Sequence, residues 1–172
     1  MRILGIDPGI ANTGWGVVDF NGHQFRPVCY GTVNTDPKDA LEHRVALIAA
    51  KVGELADEHK INVLSMEDIF FAKNEVSAIG VAKVIGALCY CMYERNIPVS
   101  VFTPIQIKSA ITGFGRAEKN QVQEMCRLLL GLDKIPRPDH AADALAAAIC
   151  YGNNAATQVM LGQKPGRQGR IK

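Results

Sequence analysis

A short apolar run that ends on a carboxylate constrains this chain more than any other feature. Residues Ile3–Ile6 are typical of a strand in the middle of a sheet, and Asp7, Pro8 and Gly9 follow at once. A strand interior disfavours Asp, and Pro has no N–H to give to a neighbouring strand, so the strand must end at Asp7. Asp-Pro-Gly is also ordinary turn chemistry, so this stretch alone leaves open a simple turn or a functional carboxylate.

The remaining pattern predicts an α/β fold. Three strands come first, because Asn21-Gly22 is a hairpin signal that returns residues 23–33 antiparallel to the preceding strand. Asp36-Pro37 predicts the start of a helix, whose apolar spacing continues to about His59. The later predicted elements are a strand at 61–67, a helix at 76–95, a strand at 98–102, a short helix opened by Thr103-Pro104, and helices at 117–130 and 138–151.

Length and composition fit one globular domain. The chain has 172 residues, of which 48% are hydrophobic, and we expect a single domain over residues 1–155. Residues 156–172 end in a stretch rich in Gly and basic residues, and we expect a flexible basic tail there.

Charge and cysteine usage narrow the class of protein. The formal net charge is only +2, so binding to nucleic acid would depend on the local placement of Lys and Arg. Five scattered cysteines without paired CxxC spacing predict reduced thiols, and we find neither an apolar run of membrane-span length nor a signal segment. We therefore expect a soluble, cytoplasmic protein.

A second carboxylate is expected beside the first. The apolar run at 61–67 ends on Glu67, and a helical crossover separates it from the first strand. Such a connection makes two strands parallel, and neighbouring parallel strands end at the same edge of a sheet. Two adjacent carboxylates repel each other, and one of them takes up a proton unless a cation keeps both ionised. Asp7 and Glu67 together therefore indicate a metal site at this edge of the sheet.

The last helix carries the remaining candidate ligands in the segment RPDHAADALAAA. Residues three or four apart share a helix face, so His140 with Asp143, or Asp139 with Asp143, can point to one spot. Acids also favour a helix N-terminus, which explains Asp139 without any ligand. Asp143 lies among alanines on a helix apolar enough to be packed, where an uncompensated carboxylate is costly.

These segments resemble one known family. ILGIDPG at 3–9, ME with FFAKN at 66–74, GRAEKNQV at 115–122 and HAADALA at 140–146 are similar, in this order, to the RuvC family of Holliday-junction resolvases. The resemblance implies an α/β RNase H-like fold, in which a mixed five-stranded sheet of an antiparallel meander plus parallel strands is flanked by helices. It also implies a homodimer that cuts four-way DNA junctions by paired symmetric nicks in homologous recombination and DNA repair.

The resemblance also implies a catalytic metal centre. By motif, its catalytic residues and metal ligands are Asp7, Glu67, His140 and Asp143, which would bind two Mg²⁺ ions per active site, with Mn²⁺ able to substitute. Some members carry Asp where this chain has His140, and others carry His. The family works alongside RuvA and RuvB, which are therefore expected partners.

Candidate DNA contacts lie next to the predicted ligands. Phe70 matches the family's junction-stacking aromatic, and Lys73 follows it on the same segment. Lys108, Arg116 and Lys119 match basic positions of the family, although isolated charges of this kind usually form a solvated face. Aromatic rings can stack on unpaired bases, and cationic side chains bind phosphates.

The predicted helix at 76–95 is apolar nearly all round. Such a helix is buried on more than one side, either inside one subunit or partly against a two-fold partner.

Two other functions are compatible with parts of the sequence. DPGIANTG resembles the phosphate-gripping hairpin of actin-like and sugar-kinase ATPases, which pair two such domains around a nucleotide, whereas this chain has room for one. A catalytically dead junction-binding module is the other, and the presence of every predicted carboxylate argues against it.

Overall fold

A computed structural model of the chain describes residues 1–68 and 75–161, with the backbone alone for 75–77. Within these residues, the core of the fold is a five-stranded sheet of order β3-β2-β1-β4-β5. Its strands are β1 (Arg2–Asp7), β2 (Asn12–Phe20), β3 (Phe25–Asn34), β4 (Val63–Glu67) and β5 (Val99–Phe102).

The first three strands form the predicted antiparallel meander. β1 pairs with β2, and β2 pairs with β3, both antiparallel. In the hairpin between β2 and β3, the Asn21 side chain accepts hydrogen bonds from the N–H groups of His23 and Gln24, and Gly22 has a φ of 103°. This positive φ is the conformation that glycine adopts without strain, so the prediction of a hairpin at Asn21-Gly22 is confirmed.

The parallel half of the sheet is confirmed as well. β4 lies beside β1 in parallel, with Ile6 opposite Met66, and β5 lies parallel to β4 on its other side. The sheet is therefore mixed, and β1 at its centre has an antiparallel and a parallel neighbour.

Helices cover both faces of the sheet. The described helices are α1 (Leu41–Glu58), α2 (Glu75–Tyr93), α3 (Pro104–Thr112), α4 (Lys119–Leu129) and α5 (Asp139–Met160). Ile6, Val17 and Met66 pack with buried residues of α1 and α2 on one face. Ile3 and Val18 pack with α3, α4 and α5 on the other. The two apolar clusters make a three-layer α/β domain. Among the described residues, no helix has the length and hydropathy of a membrane-spanning segment.

The predicted start of the first helix is wrong by several residues. Asp36 forms a turn instead, because its side chain accepts a hydrogen bond from the N–H of Lys38 and its carbonyl accepts one from the N–H of Asp39. The helix then begins at Leu41. Asp-Pro serves equally well to open a turn or a helix, and local sequence does not separate the two.

The last helix is longer than predicted. α5 continues to Met160, so residues 156–160 of the expected tail are helical. Ala155 is buried, and Ala156 packs against the same apolar cluster. The remainder of the expected tail, residues 162–172, lies outside the described residues.

Candidate active site

Two strand ends place Asp7 and Glu67 at one edge of the sheet. Because Ile6 pairs with Met66 in parallel register, the next residues of β1 and β4 end side by side. Both residues are half-buried. The loop that follows Asp7 is held close, because the Thr13 hydroxyl donates a hydrogen bond to the carbonyl of Gly9 over 2.5 Å. The loop after Asp7 is therefore anchored to the start of β2.

Glycines in the meander let α5 approach the sheet backbone directly. A Cβ on Gly14 would lie 1.9 Å from the carbonyl oxygen of His140, and one on Gly5 would lie 1.9 Å from that of Ala144. Any side chain at these positions would push the helix outward. This requirement was not predicted from the sequence, although glycines in strands opposite an alanine-rich helix are a signal for it.

The close approach brings three predicted ligands together. One donor atom from each of Asp7, His140 and Asp143 lies within 4.8 Å of the others. His140 Nδ1 is 2.7 Å from Asp7 Oδ2. The sequence left two pairings on the helix open, and the structure selects His140 with Asp143, while Asp139 lies outside the cluster.

Glu67 lies beside this cluster and is coupled to it by charge. Burial raises the pKa of Glu67 to about 7, and repulsion from Asp7 and Asp143 adds to the shift. Burial also raises the pKa of Asp7, with a further increase from Asp143, while the hydrogen bond with His140 opposes the rise. Burial and the neighbouring carboxylates thus both favour the protonated form of Glu67 in the absence of a cation.

The donor set fits a divalent cation. Carboxylate oxygens are the ligands that Mg²⁺ prefers, and a single imidazole is compatible with Mn²⁺. A cation among these groups would lower the pKa of Glu67, which burial raises most and repulsion from Asp7 and Asp143 raises further. The charge and the ligand chemistry of Asp7, Glu67, His140 and Asp143 therefore both favour binding of a divalent cation.

Two of the lysines predicted to bind DNA, Lys108 and Lys119, line a pocket together with the acids Glu67 and Asp143. The pocket has a volume of about 210 Å³ and is lined by Glu67, Pro104, Ile107, Lys108, Lys119, Val122, Asp143 and Ala146. Lys108 comes from α3 and Lys119 from the start of α4, so two helices deliver cations to the acidic edge. Lys119 Nζ lies 3.2 Å from Asp143 Oδ2.

Of the other predicted DNA contacts, Arg116 belongs to the described residues and does not line this pocket. Arg116 is exposed on the loop between α3 and α4. Phe70 and Lys73 lie outside the described residues.

Comparison with known proteins agrees with the fold. A family model described as crossover junction endodeoxyribonuclease RuvC matches residues 3–151. Crossover junction endodeoxyribonuclease RuvC of Borrelia turicatae is 47% identical over 155 residues, which cover 89% of this chain and 96% of the relative. The protein of the same name from Petrotoga mobilis is 44% identical over 153 residues, covering 89% and 94% of the two chains.

A solved structure extends the similarity to three dimensions. The T. thermophilus RuvC in complex with a Holliday junction substrate is 35% identical, with a TM-score of 0.87, and the match covers 91% of this chain and 96% of that one. The expected RNase H-like architecture, a mixed five-stranded sheet flanked by helices, is therefore confirmed. On this combined sequence and structural evidence, the chain belongs to the RuvC family of crossover junction endodeoxyribonucleases.

Proposed function

We propose that this chain is a structure-selective endonuclease that resolves four-way DNA junctions by paired symmetric nicks, in homologous recombination and DNA repair. The observation that carries the proposal is the cluster of Asp7, His140 and Asp143, whose Asp143 also lines a pocket together with Glu67, Lys108 and Lys119. Acids suited to divalent metal and cations suited to phosphate then lie together, as phosphodiester hydrolysis requires. Membership of the RuvC family supports junctions as the substrate.

We propose Asp7, Glu67, His140 and Asp143 as the residues that hold two divalent ions, with Mg²⁺ as the ordinary metal and Mn²⁺ able to replace it. Two such ions, when bound, would supply Lewis-acid chemistry for activating a water molecule and for stabilising the charge on a leaving oxygen. The protein contributes orientation, since Asp7 holds the imidazole of His140 through Nδ1 and α5 rests directly on the glycines of the meander. The ligands are thereby fixed before substrate arrives.

Lys108 and Lys119 are proposed to bind phosphates of the cut strand. Their place in the acidic pocket distinguishes them from surface lysines, because an incoming phosphate would meet ammonium groups and metal ligands together. Phe70 and Lys73 remain predictions for base stacking and phosphate contact, and Arg116 remains one for the exposed loop. Phe70 and Arg116 rest on the family resemblance, and Lys73 rests on its place after Phe70 in the sequence.

A homodimer is supported by α2. Val84, Leu88 and Met92 bury one face of this helix in the core. Outside that face, Ile79 is 58% exposed, Tyr90 66% and Tyr93 76%. Gly86 is exposed between them, and a Cβ there would meet nothing within 4 Å. An exposed apolar stripe on a helix whose other face is buried is suited to contact with a second copy of the chain across a two-fold axis. Paired cuts also require such a partner.

RuvA and RuvB are proposed as further partners on family membership alone.

A cleavage assay tests the proposed function. The substrates are a synthetic four-way junction and a linear duplex of the same sequence, with Mg²⁺ or Mn²⁺, and ATP hydrolysis is measured in parallel. We expect metal-dependent nicking of the junction alone, lost in Asp7→Asn and in Glu67→Gln while junction binding in gel shifts is retained. Equal cutting of linear duplex would overturn the junction selectivity, binding without cutting would indicate an inactive module, and ATP hydrolysis would favour the actin-like alternative.

A further inference from the structure

Lys119 is shared between two acids that differ in their relation to the metal cluster. Its Nζ lies 3.2 Å from Asp143 Oδ2 and 3.4 Å from Asp139 Oδ2. Asp143 belongs to the candidate metal cluster, and Asp139 does not. One ammonium group therefore bridges a candidate metal ligand and a carboxylate just outside the site.

Helix geometry explains the bridge. Asp139 and Asp143 are four residues apart on α5, so they share a face and the lysine of α4 lies between them. Asp139 is the more exposed of the two, with 42% of its side chain accessible against 27% for Asp143. Lys119 thus has a partner inside the pocket and another nearer to solvent.

A divalent cation on Asp143 would change this balance. An ammonium group and a metal ion repel, and both need the same carboxylate, so metal binding must weaken the contact between Lys119 and Asp143. Asp139 offers the displaced ammonium an opposite charge without a large movement. The cost of separating Lys119 from Asp143 is therefore reduced while the lysine stays at the pocket.

We propose that Asp139 is a positioning residue, which takes over Lys119 from Asp143 when a divalent cation binds and keeps that lysine at the pocket for substrate. The inference rests on the proposed metal site. Asp139 thereby has a role in the site although it is not a member of the metal cluster, and this role goes beyond complementing the helix dipole.

The test is a double-mutant cycle on metal binding without DNA. Mn²⁺ affinity is measured by electron paramagnetic resonance of the free ion, for the full chain and for Asp139→Asn, Lys119→Met and the double variant. We expect Asp139→Asn to weaken Mn²⁺ binding by roughly two- to fivefold, the range of a partly exposed ion pair. In the Lys119→Met background, the same substitution should change the affinity very little, because no lysine competes for Asp143.

Matched variants separate this effect from a general loss of charge. Asp133→Asn removes the same charge near Arg127, away from the pocket, and should leave Mn²⁺ affinity unchanged. Arg137→Gln removes the second cation that pairs with Asp139 and should not weaken Mn²⁺ binding, because Asp139 remains available to Lys119. Thermal unfolding of each variant checks that the fold is intact.

The outcomes distinguish this inference from the proposed function. An equal effect of Asp139→Asn in both backgrounds, or no effect in either, would overturn the positioning role whatever the enzyme cleaves. Failure of the unsubstituted chain to cut junctions would overturn the proposed function and leave the metal-binding cycle unaffected. If junctions are cut, Asp139→Asn should reduce cleavage in the parent and cause no further loss in Lys119→Met.

Discussion

His140 Nδ1 lies 2.7 Å from Asp7 Oδ2, so the last helix and the first strand meet in the candidate active site through one pair of side chains. Their separation in sequence is 133 residues. The contact joins the two ends of the domain, and it makes the identity of residue 140 the most direct point at which to test the site.

Substitution of His140 tests its role as a ligand. His140→Ala should nearly abolish cleavage, whereas Asp139→Ala should reduce it by a few-fold at most, because Asp139 lies outside the cluster. His140→Asp should remain active with its pH profile shifted to lower pH, since imidazole binds metal only when neutral and a carboxylate stays ionised well below neutrality. It should also favour Mg²⁺ over Mn²⁺ relative to the parent. Junction-cleavage rates against pH and metal measure this, and the opposite ranking of Asp139→Ala and His140→Ala would remove His140 from the site.

Glu67 should destabilise the metal-free protein at high pH. Its pKa is raised from 4.5 to about 7, so the folded state holds this proton more tightly, and stability falls as pH rises from about 4.5 through about 7. The shift corresponds to at most roughly 3 kcal/mol. Glu67→Gln lacks this loss, so in the presence of a chelator it should melt several degrees above the parent at pH 8, with a smaller difference at pH 5.

Added metal should reduce that difference. Mg²⁺ or Mn²⁺ stabilises the protein that binds it, so the parent should gain in melting temperature at pH 8 and Glu67→Gln should gain less. Thermal unfolding with chelator and with metal measures both effects. A parent that melts above Glu67→Gln in chelator at pH 8 would show that Glu67 is not electrostatically strained.

Gly14 should be essential for the geometry of the site. In Gly14→Ala, the new methyl group would overlap the carbonyl of His140, so α5 must move away from the sheet. We expect a loss of stability of about 1–3 kcal/mol together with weakened metal binding and cleavage. Gly80→Ala is the matched control, since its methyl group would lie 3.6 Å from Ile10 and fit without displacement. Urea unfolding and Mn²⁺ binding provide the measurements, and a Gly14→Ala protein with parental metal affinity would contradict the prediction.

Lys108 should contribute one phosphate contact. Lys108→Ala should weaken junction binding and lower the slope of log affinity against log salt by roughly one, because fewer counterions are released. Lys51→Ala provides a control, since Lys51 lies on α1 and pairs with Glu54 outside the pocket. Binding titrations at several salt concentrations measure this slope. An unchanged slope would show that Lys108 makes no phosphate contact and is an ordinary solvated lysine.

The exposed stripe on α2 should hold the dimer together. Ile79→Glu or Tyr90→Glu would place a charge in the interface, so we expect monomers by light scattering coupled to gel filtration. Leu128→Glu changes an equally exposed apolar residue on α4 and should leave the dimer intact. Dimers that persist in both α2 variants would place the interface elsewhere.

Local chemistry in the sequence determined the elements and most of the candidate ligands. Asp7 and Glu67 each end an apolar run, and a buried strand ends where a charged residue or a proline interrupts that run. The helical crossover between the two runs predicted that they are parallel and end at a common edge, and the structure has them in this arrangement. Asn21-Gly22 likewise determined the hairpin.

Only the tertiary structure decided which side chains meet. His140 and Asp139 are equivalent by helical spacing, and the choice of His140 depends on the rotation of α5, which the glycine contacts with the sheet impose. Asp139 then contacts Lys119, an interaction between helices that no spacing rule contains. The length of α5 was also decided by packing, because Ala155 is buried in an apolar cluster formed with elements distant in sequence and Ala156 packs against that cluster. Periodicity reports what one segment prefers, whereas orientation between segments is set by the shape of the surfaces they bury together.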